Sequence, residues 1–192
     1  MNKVLCGKLY HLMNEFMNTF IRRFSPIALL LISAASFATN VNQLPAYSRH
    51  YNEHADPFKD AVAALKLAKK THRNVLIEVG GDWCTWCHRM DSFLAQNPKV
   101  YNALHQHYVL LKVSVSDANN NAKFMNSLPP VLGYPHMYVS TNNGKIIRSK
   151  DTAELQQHGD YSVANWLTFL AKWQNPSTQT QPNIHKSQGS SE

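Results

Sequence analysis

The chemistry of this chain concentrates in Trp83-Cys84-Thr85-Trp86-Cys87-His88, which holds two of its three cysteines. Two thiols three residues apart admit three chemistries. They can close and reopen a small disulfide ring. They can ligate a metal through thiolate sulfur. Followed by a histidine, they also match the attachment pattern of c-type haem. The neighbouring residues arbitrate. Asn74 to Val79 reads as a short buried strand, Gly80-Gly81-Asp82 turns the chain, and Cys87 to Gln96 carries a helical pattern that stops at Asn97-Pro98. Cys84 thus stands where a strand hands over to a helix N-terminus. Unpaired N–H groups and the helix dipole there favour a thiolate over a thiol. That is the setting of a redox-active cysteine.

The metal and haem alternatives use the same side chains. Cys84, Cys87 and His88 make three ligands, and there is no second Cys-x-x-Cys to complete a zinc site. His136 could add a fourth ligand for a soft metal such as copper, although a chance histidine is the simpler account. A cytochrome needs a distal ligand in a helix-dominated pocket, whereas this motif follows a strand. No cofactor or metal is expected. A haem- or metal-binding module on Cys84, Cys87 and His88 stands as the alternative to exchange chemistry.

The elements that must position the motif follow in order. Thr39 to Asp56 is a polar, aromatic lead-in without a period, expected to order on contact with the rest. Pro57-Phe58 opens a helix to about His72, with Phe58, Val62, Leu65 and Ala68 or Lys69 on its inner face. After the cysteine helix, Pro98 to His105 predicts a second helix with Val100, Tyr101 and Leu104 inward. Tyr108 to Val115 predicts a strand buried in its first half. A helical turn around Lys123 to Ser127 ends at Pro129-Pro130. His136 to Ser140 and Lys145 to Ser149 form strands joined by the hairpin signal Asn142-Asn143-Gly144. Ser162 to Trp173 predicts a helix facing inward through Val163, Trp166, Leu167 and Leu170. The fold class is α/β, with helices on a mixed sheet.

Both ends differ in kind from this middle. Arg22-Arg23, the apolar run Ile27 to Ile32 and Ser33 to Ala38 have the form of a secretory leader cut after Ala38. Met13 or Met17 is an alternative start, and an uncleaved leader would serve as an N-terminal anchor. Cleavage removes Cys6 along with Lys3, Lys8, Arg22, Arg23 and Glu15, lowering the net charge from +7 to +4. No basic block interleaved with aromatics argues for nucleic acid. The one remaining cysteine pair closes too small a loop to stabilise a fold much, so chemistry is its better explanation. From Asn175 the chain is Ser, Thr, Gln, Asn and Pro, and residues 175–192 are expected to be disordered.

From about Asp56 to Trp173 the chain resembles the thioredoxin-fold proteins. The likeness rests on Trp83-Cys84-x-x-Cys87, Glu78 six residues before Cys84, Lys112 in Leu111-Lys112-Val113, and Gly133-Tyr134-Pro135. Asp82-Trp83-Cys84, Asn97-Pro98-Lys99-Val100 and Val131-Leu132-Gly133-Tyr134-Pro135 are most similar to the C-terminal thioredoxin-like domain of membrane thiol:disulfide interchange reductases, and to related small secreted proteins. The resemblance implies a thioredoxin-like domain over 57–174, with a central mixed sheet flanked by helices. It implies that Cys84 is the nucleophile and Cys87 the resolving thiol of a redox-active disulfide. Glu78 would take the Cys87 proton, Lys112 would modulate that acid, and His88 would tune the pair. Pro135 would be cis, where an isolated Tyr-Pro bond would be trans. Tyr134 and Pro135 would hold substrate, with Trp83 partly packed and Trp86 open to it. Apolar Val75, Leu76, Ile77 and Val79 argue that Glu78 is buried. The implied activity is that of a periplasmic, monomeric thiol:disulfide oxidoreductase leaning to reduction or isomerisation. It would act on disulfide- or thiol-bearing proteins and exchange electrons with another protein.

Overall fold

The computed structural model describes residues 43–177. The expected leader lies outside them, as does the expected tail beyond residue 177. The lead-in is more regular than its sequence suggests: Ala46–Arg49 forms one helical turn, α1. Helix α2, Pro57–Thr71, starts with Pro57 in its first turn. Asp56 caps it, its carboxylate accepting from the Phe58 and Lys59 amides at 2.9 and 3.3 Å. His72, at φ 55°, ends the helix in the left-handed region.

Strand β1, Asn74–Gly80, is followed by α3, Thr85–Gln96, and α4, Pro98–His107. This pair of helices crosses over to β2, Tyr108–Ser114, which lies parallel to β1. A short turn, α5 at Ala122–Met125, leads on to β3, His136–Ser140. β3 runs antiparallel to β1 on its other side, and β4, Ile146–Asp151, completes the order β2-β1-β3-β4. A 3₁₀ turn at Thr152–Leu155 and a small hairpin, β5 (Gln156–Gln157) with β6 (Asp160–Tyr161), precede α6, Val163–Trp173.

Alternation along β1 and β2 divides the interior in two. Leu76 and Leu110 join Met90, Leu94, Val100, Leu104, Trp166 and Leu170 beneath α3, α4 and α6. Val75, Ile77, Val79, Val109, Leu111 and Val113 join Ala64 and Ala68 beneath α2. Glu78 and Lys112 fall in phase with Leu76 and Leu110, which turns both toward the cysteine helix.

Three expectations about burial are corrected. β2 is buried along its whole length rather than its first half, because α1 and α2 cover one face and α4 the other. Helix α2 does not face inward through Phe58 and Val62, which are exposed; it packs through Ala61, Ala64, Leu65 and Ala68. Its small alanines let the helix sit close to the sheet. Phe58 instead meets the edge of Phe124 at the margin, with ring centroids 5.2 Å apart. In α6, Phe169 is buried in place of Val163.

Trp166 is fully buried among Phe93, Tyr161 and Phe169. Trp166→Ala should cost about 3–5 kcal/mol of unfolding free energy in a denaturant titration of the oxidised protein. Val62→Ala should stay within about 0.5 kcal/mol of the parent.

Candidate active site

Cys84 and Cys87 are joined in a disulfide with their Cα atoms 5.2 Å apart. Cys84 is the N-cap of α3, and the Cys87 amide donates to its sulfur at 3.1 Å. That N–H, shared with the Cys84 carbonyl at 3.0 Å, is therefore also aimed at the sulfur on which a thiolate forms when the bridge opens. Cys87 is completely buried. Cys84 is only 3% exposed, because Tyr51 and Trp86 pack against the pair. Gly80 makes this packing possible. A Cβ there would sit 2.5 Å from Cys87 Sγ and 2.6 Å from Tyr51 Oη.

Beneath the bridge lies a polar cluster supplied by four segments, buried except at Asp91, whose side chain is 42% exposed. Glu78 is 1% exposed and stands on the central strand β1. Its register neighbour on β2 is Lys112, whose Nζ lies 3.6 Å from Glu78 Oε1. The same ammonium donates to both oxygens of Asp91, at 2.5 and 2.7 Å. Asp91 sits one turn beyond Cys87 on α3. From the lead-in, Tyr51 Oη donates to Glu78 Oε1 at 2.5 Å, and Lys112 Nζ lies 4.8 Å from the centre of the Tyr51 ring. Neither Tyr51 nor Asp91 was picked out from the sequence. Asp91 had a usable signal in its i+4 spacing from Cys87. Tyr51 had only its aromatic character in a polar stretch.

Burial pushes the Glu78 carboxyl above its ordinary range, with the Asp91 charge adding to it. The Lys112 ammonium and the Tyr51 hydrogen bond pull the other way without overcoming burial. Burial lowers the Lys112 pKa, but the two carboxylates outweigh it and hold the ammonium charged above its ordinary value. Because Asp91 takes the closer hold on Lys112, Glu78 is left incompletely neutralised.

Around the bridge, the expected roles of the tryptophans in exposure are reversed. Trp83 is 54% exposed, anchored by its Nε1–H donating to Val115 O at 2.6 Å and by an edge contact with Tyr134. Trp86 is half-buried against Tyr161, with the Arg89 guanidinium over its ring. The Tyr134-Pro135 bond is cis, and Pro135 O accepts from Thr152 Oγ1 at 2.6 Å. Trp83 and Tyr134 border a hollow of about 930 Å³ that continues along Val115, Met125, Pro129 and Val131. His88 turns away from the sulfurs, its Nε2 lying 2.7 Å from Asp82 O. His136 is buried with its Nε2 2.8 Å from Ser149 Oγ and its ring against Tyr138. Among the described residues, no three His, Cys, Asp or Glu side chains are grouped to hold a metal ion.

Two measurements test the electrostatics. Glu78 has a folded pKa raised above its unfolded value, so its contribution to stability is present in full below the ordinary 4.5 and is lost as pH rises through the folded value. Glu78→Gln should therefore raise Tm at neutral pH, with the gain vanishing below pH 4.5. Asp91→Asn should lower the Glu78 pKa, since it removes a nearby negative charge and frees Lys112 for Glu78. Infrared titration of the protonated carboxyl would read the shift.

Residues 56–139 match the thioredoxin-like family. The structure is similar to a disulphide isomerase from Xylella fastidiosa Temecula1, with 27% sequence identity and a TM-score of 0.55, over 67% of this chain and 95% of that one. A looser likeness is to the oxidised C-terminal domain of Neisseria meningitidis DsbD, at 16% identity and a TM-score of 0.49, over 62% of this chain and 97% of that one. No curated protein matches the sequence. The strand order and the cysteine-capped helix agree with that match, and the described part of the chain has a thioredoxin-like fold.

Proposed function

We propose that this protein is a thiol:disulfide oxidoreductase that works outside the cytoplasm, in the periplasm of a bacterial cell, and exchanges disulfides with protein substrates. The observation that carries this reading is the closed Cys84–Cys87 bridge at a helix N-terminus directly above a buried carboxyl of raised pKa. In the reduced enzyme, Cys84 thiolate attacks one sulfur of a substrate disulfide. The substrate S–S bond breaks, its electron pair leaves on the second substrate sulfur, and a mixed disulfide to Cys84 forms. Cys87 then loses its proton to Glu78 and attacks Cys84 Sγ. The bridge reforms, and the substrate leaves carrying two more electrons than it brought. The Lys112 ammonium beside Glu78 favours its carboxylate and so opposes the rise that burial causes. A protein donor of thiols reopens the bridge.

Trp83, Tyr134 and the backbone before Pro135 form the rim over which an extended substrate segment would approach. Trp86 acts mainly as packing behind the bridge. A reductase or isomerase direction is supported by an acid able to take the resolving proton, and by the similarity to a protein described as a disulphide isomerase. The leader-like residues 1–38 support export, and no helix among the described residues is long and apolar enough to cross a membrane. The haem or metal alternative gains nothing from the arrangement: its two sulfurs are bonded to each other, and His88 is engaged with Asp82.

The test is redox titration against glutathione followed by insulin reduction. The wild type should show a single two-electron transition and accelerate insulin reduction by dithiothreitol. Cys84→Ser should abolish both, and Cys87→Ser should trap a glutathione adduct visible by mass. A wild type with no exchange at any glutathione ratio would overturn the assignment.

A further inference from the structure

We infer that the Tyr51 hydroxyl conducts the proton between Cys87 and Glu78, a role that rests on the exchange chemistry proposed above and adds a residue to it. Three observations meet at this oxygen. Tyr51 Oη already donates to Glu78 Oε1 at 2.5 Å. It and Cys87 Sγ both lie within 2.6 Å of the single point where a Gly80 Cβ would stand, and Tyr51 packs in one cluster with the two cysteines. The space they share is closed to solvent: Tyr51 is 4%, Glu78 1% and Cys87 0% exposed. A proton leaving Cys87 therefore meets the phenol oxygen before it meets bulk water.

The other titratable groups around the oxygen do not compete for this task. Lys112 is held by Asp91, and Tyr161, which couples electrostatically with Tyr51 and Glu78, is kept neutral because burial pushes its pKa up to about 12. Burial first, and the Glu78 charge next, push the Tyr51 pKa well above its ordinary value, so the phenol stays neutral and passes a proton without keeping one.

The step balances as follows. As Cys87 sulfur attacks Cys84 Sγ in the mixed disulfide, the Cys87 proton passes to Tyr51 Oη while the Oη proton passes to Glu78 Oε1. The Cys84–Cys87 bond forms, and the bond from Cys84 to the substrate sulfur breaks with its electron pair leaving on the substrate. Glu78 ends protonated and Tyr51 unchanged. Over the two attacks together the cysteine pair is oxidised by two electrons, and in this one the departing substrate sulfur takes a proton from water.

The test mixes reduced full-length protein with a chromogenic aryl disulfide in a stopped-flow instrument. The first thiol release reads the attack by Cys84, and the second reads the attack by Cys87. Tyr51→Phe keeps the ring but not the oxygen. It should slow the second phase at least about tenfold at neutral pH, leave the first within about twofold, and recover in alkali as hydroxide removes the Cys87 proton directly. Glu78→Gln should show the same defect, and the double variant should be no slower than Glu78→Gln beyond about twofold, since both act on one proton path. A second phase unchanged in Tyr51→Phe, both phases slowed alike at every pH, or defects that multiply in the double variant would overturn the inference. The wild type offers a check that needs no variant. The second-phase rate against deuterium fraction should be curved for two protons in flight, and a straight line would overturn the relay. Absence of both phases in the wild type would instead bring down the exchange reading itself.

Discussion

A carboxyl group buried under a disulfide is the constraint around which this domain is organised. Glu78 stands on the central strand, which is buried along its whole length, between the apolar Ile77 and Val79. A carboxylate there loses its hydration, and the protein must either neutralise it or surround it with donors. Three separate segments answer that demand. Lys112 comes from the register partner strand, Asp91 from the cysteine helix and Tyr51 from the lead-in. None of them is local to Glu78 in sequence. The site is therefore tied to the tertiary fold, and loosening the lead-in would uncover the acid as well as the bridge.

Geometry at the strand-to-helix handover does the rest. Ending β1 at Gly80 leaves no Cβ where Cys87 Sγ and Tyr51 Oη crowd together. The turn delivers Cys84 as the helix cap, its sulfur accepting from the first-turn amide N–H of Cys87. The cost is access. With Trp86 and Tyr51 closing one side, the nearly buried Cys84 sulfur is approached past Trp83 and Tyr134, which are exposed and meet edge to face. In the proposed exchange, that rim and the hollow beside it would select the partner, while the groups underneath would set reactivity.

The parts of this arrangement that were legible in the sequence are those governed by local pattern. Strand β1, the cysteine helix, the Asn142-Asn143-Gly144 hairpin and the last helix follow from periodicity and turn chemistry. The pairing of Lys112 with Glu78 came from family resemblance, and the register of β1 with β2 now supplies its physical cause. What local pattern could not reveal is which face a mixed helix presents. Phe58 and Val62 satisfy an apolar stripe on α2, yet the alanines win because the sheet surface favours close approach over side-chain size. The Trp83 and Trp86 assignments turned on tertiary neighbours in the same way. Trp86 found Tyr161, from a hairpin that left no clear mark in the sequence.

The charge balance of the cluster explains why so many groups surround one acid. With Asp91 and Lys112 paired, a proton shared between Cys87 and Glu78 leaves the net charge of the pocket the same wherever it resides. Thiol with carboxylate and thiolate with carboxylic acid differ in where the negative charge lies, not in whether one exists. Moving charge within a closed pocket avoids the much larger cost of creating it there. Were Lys112 bound to Glu78 alone, the carboxylate would be favoured more strongly. Were Lys112 absent, burial would raise the carboxyl further still. Asp91 divides the lysine between two acids, and that division leaves the Glu78 carboxyl above its ordinary range.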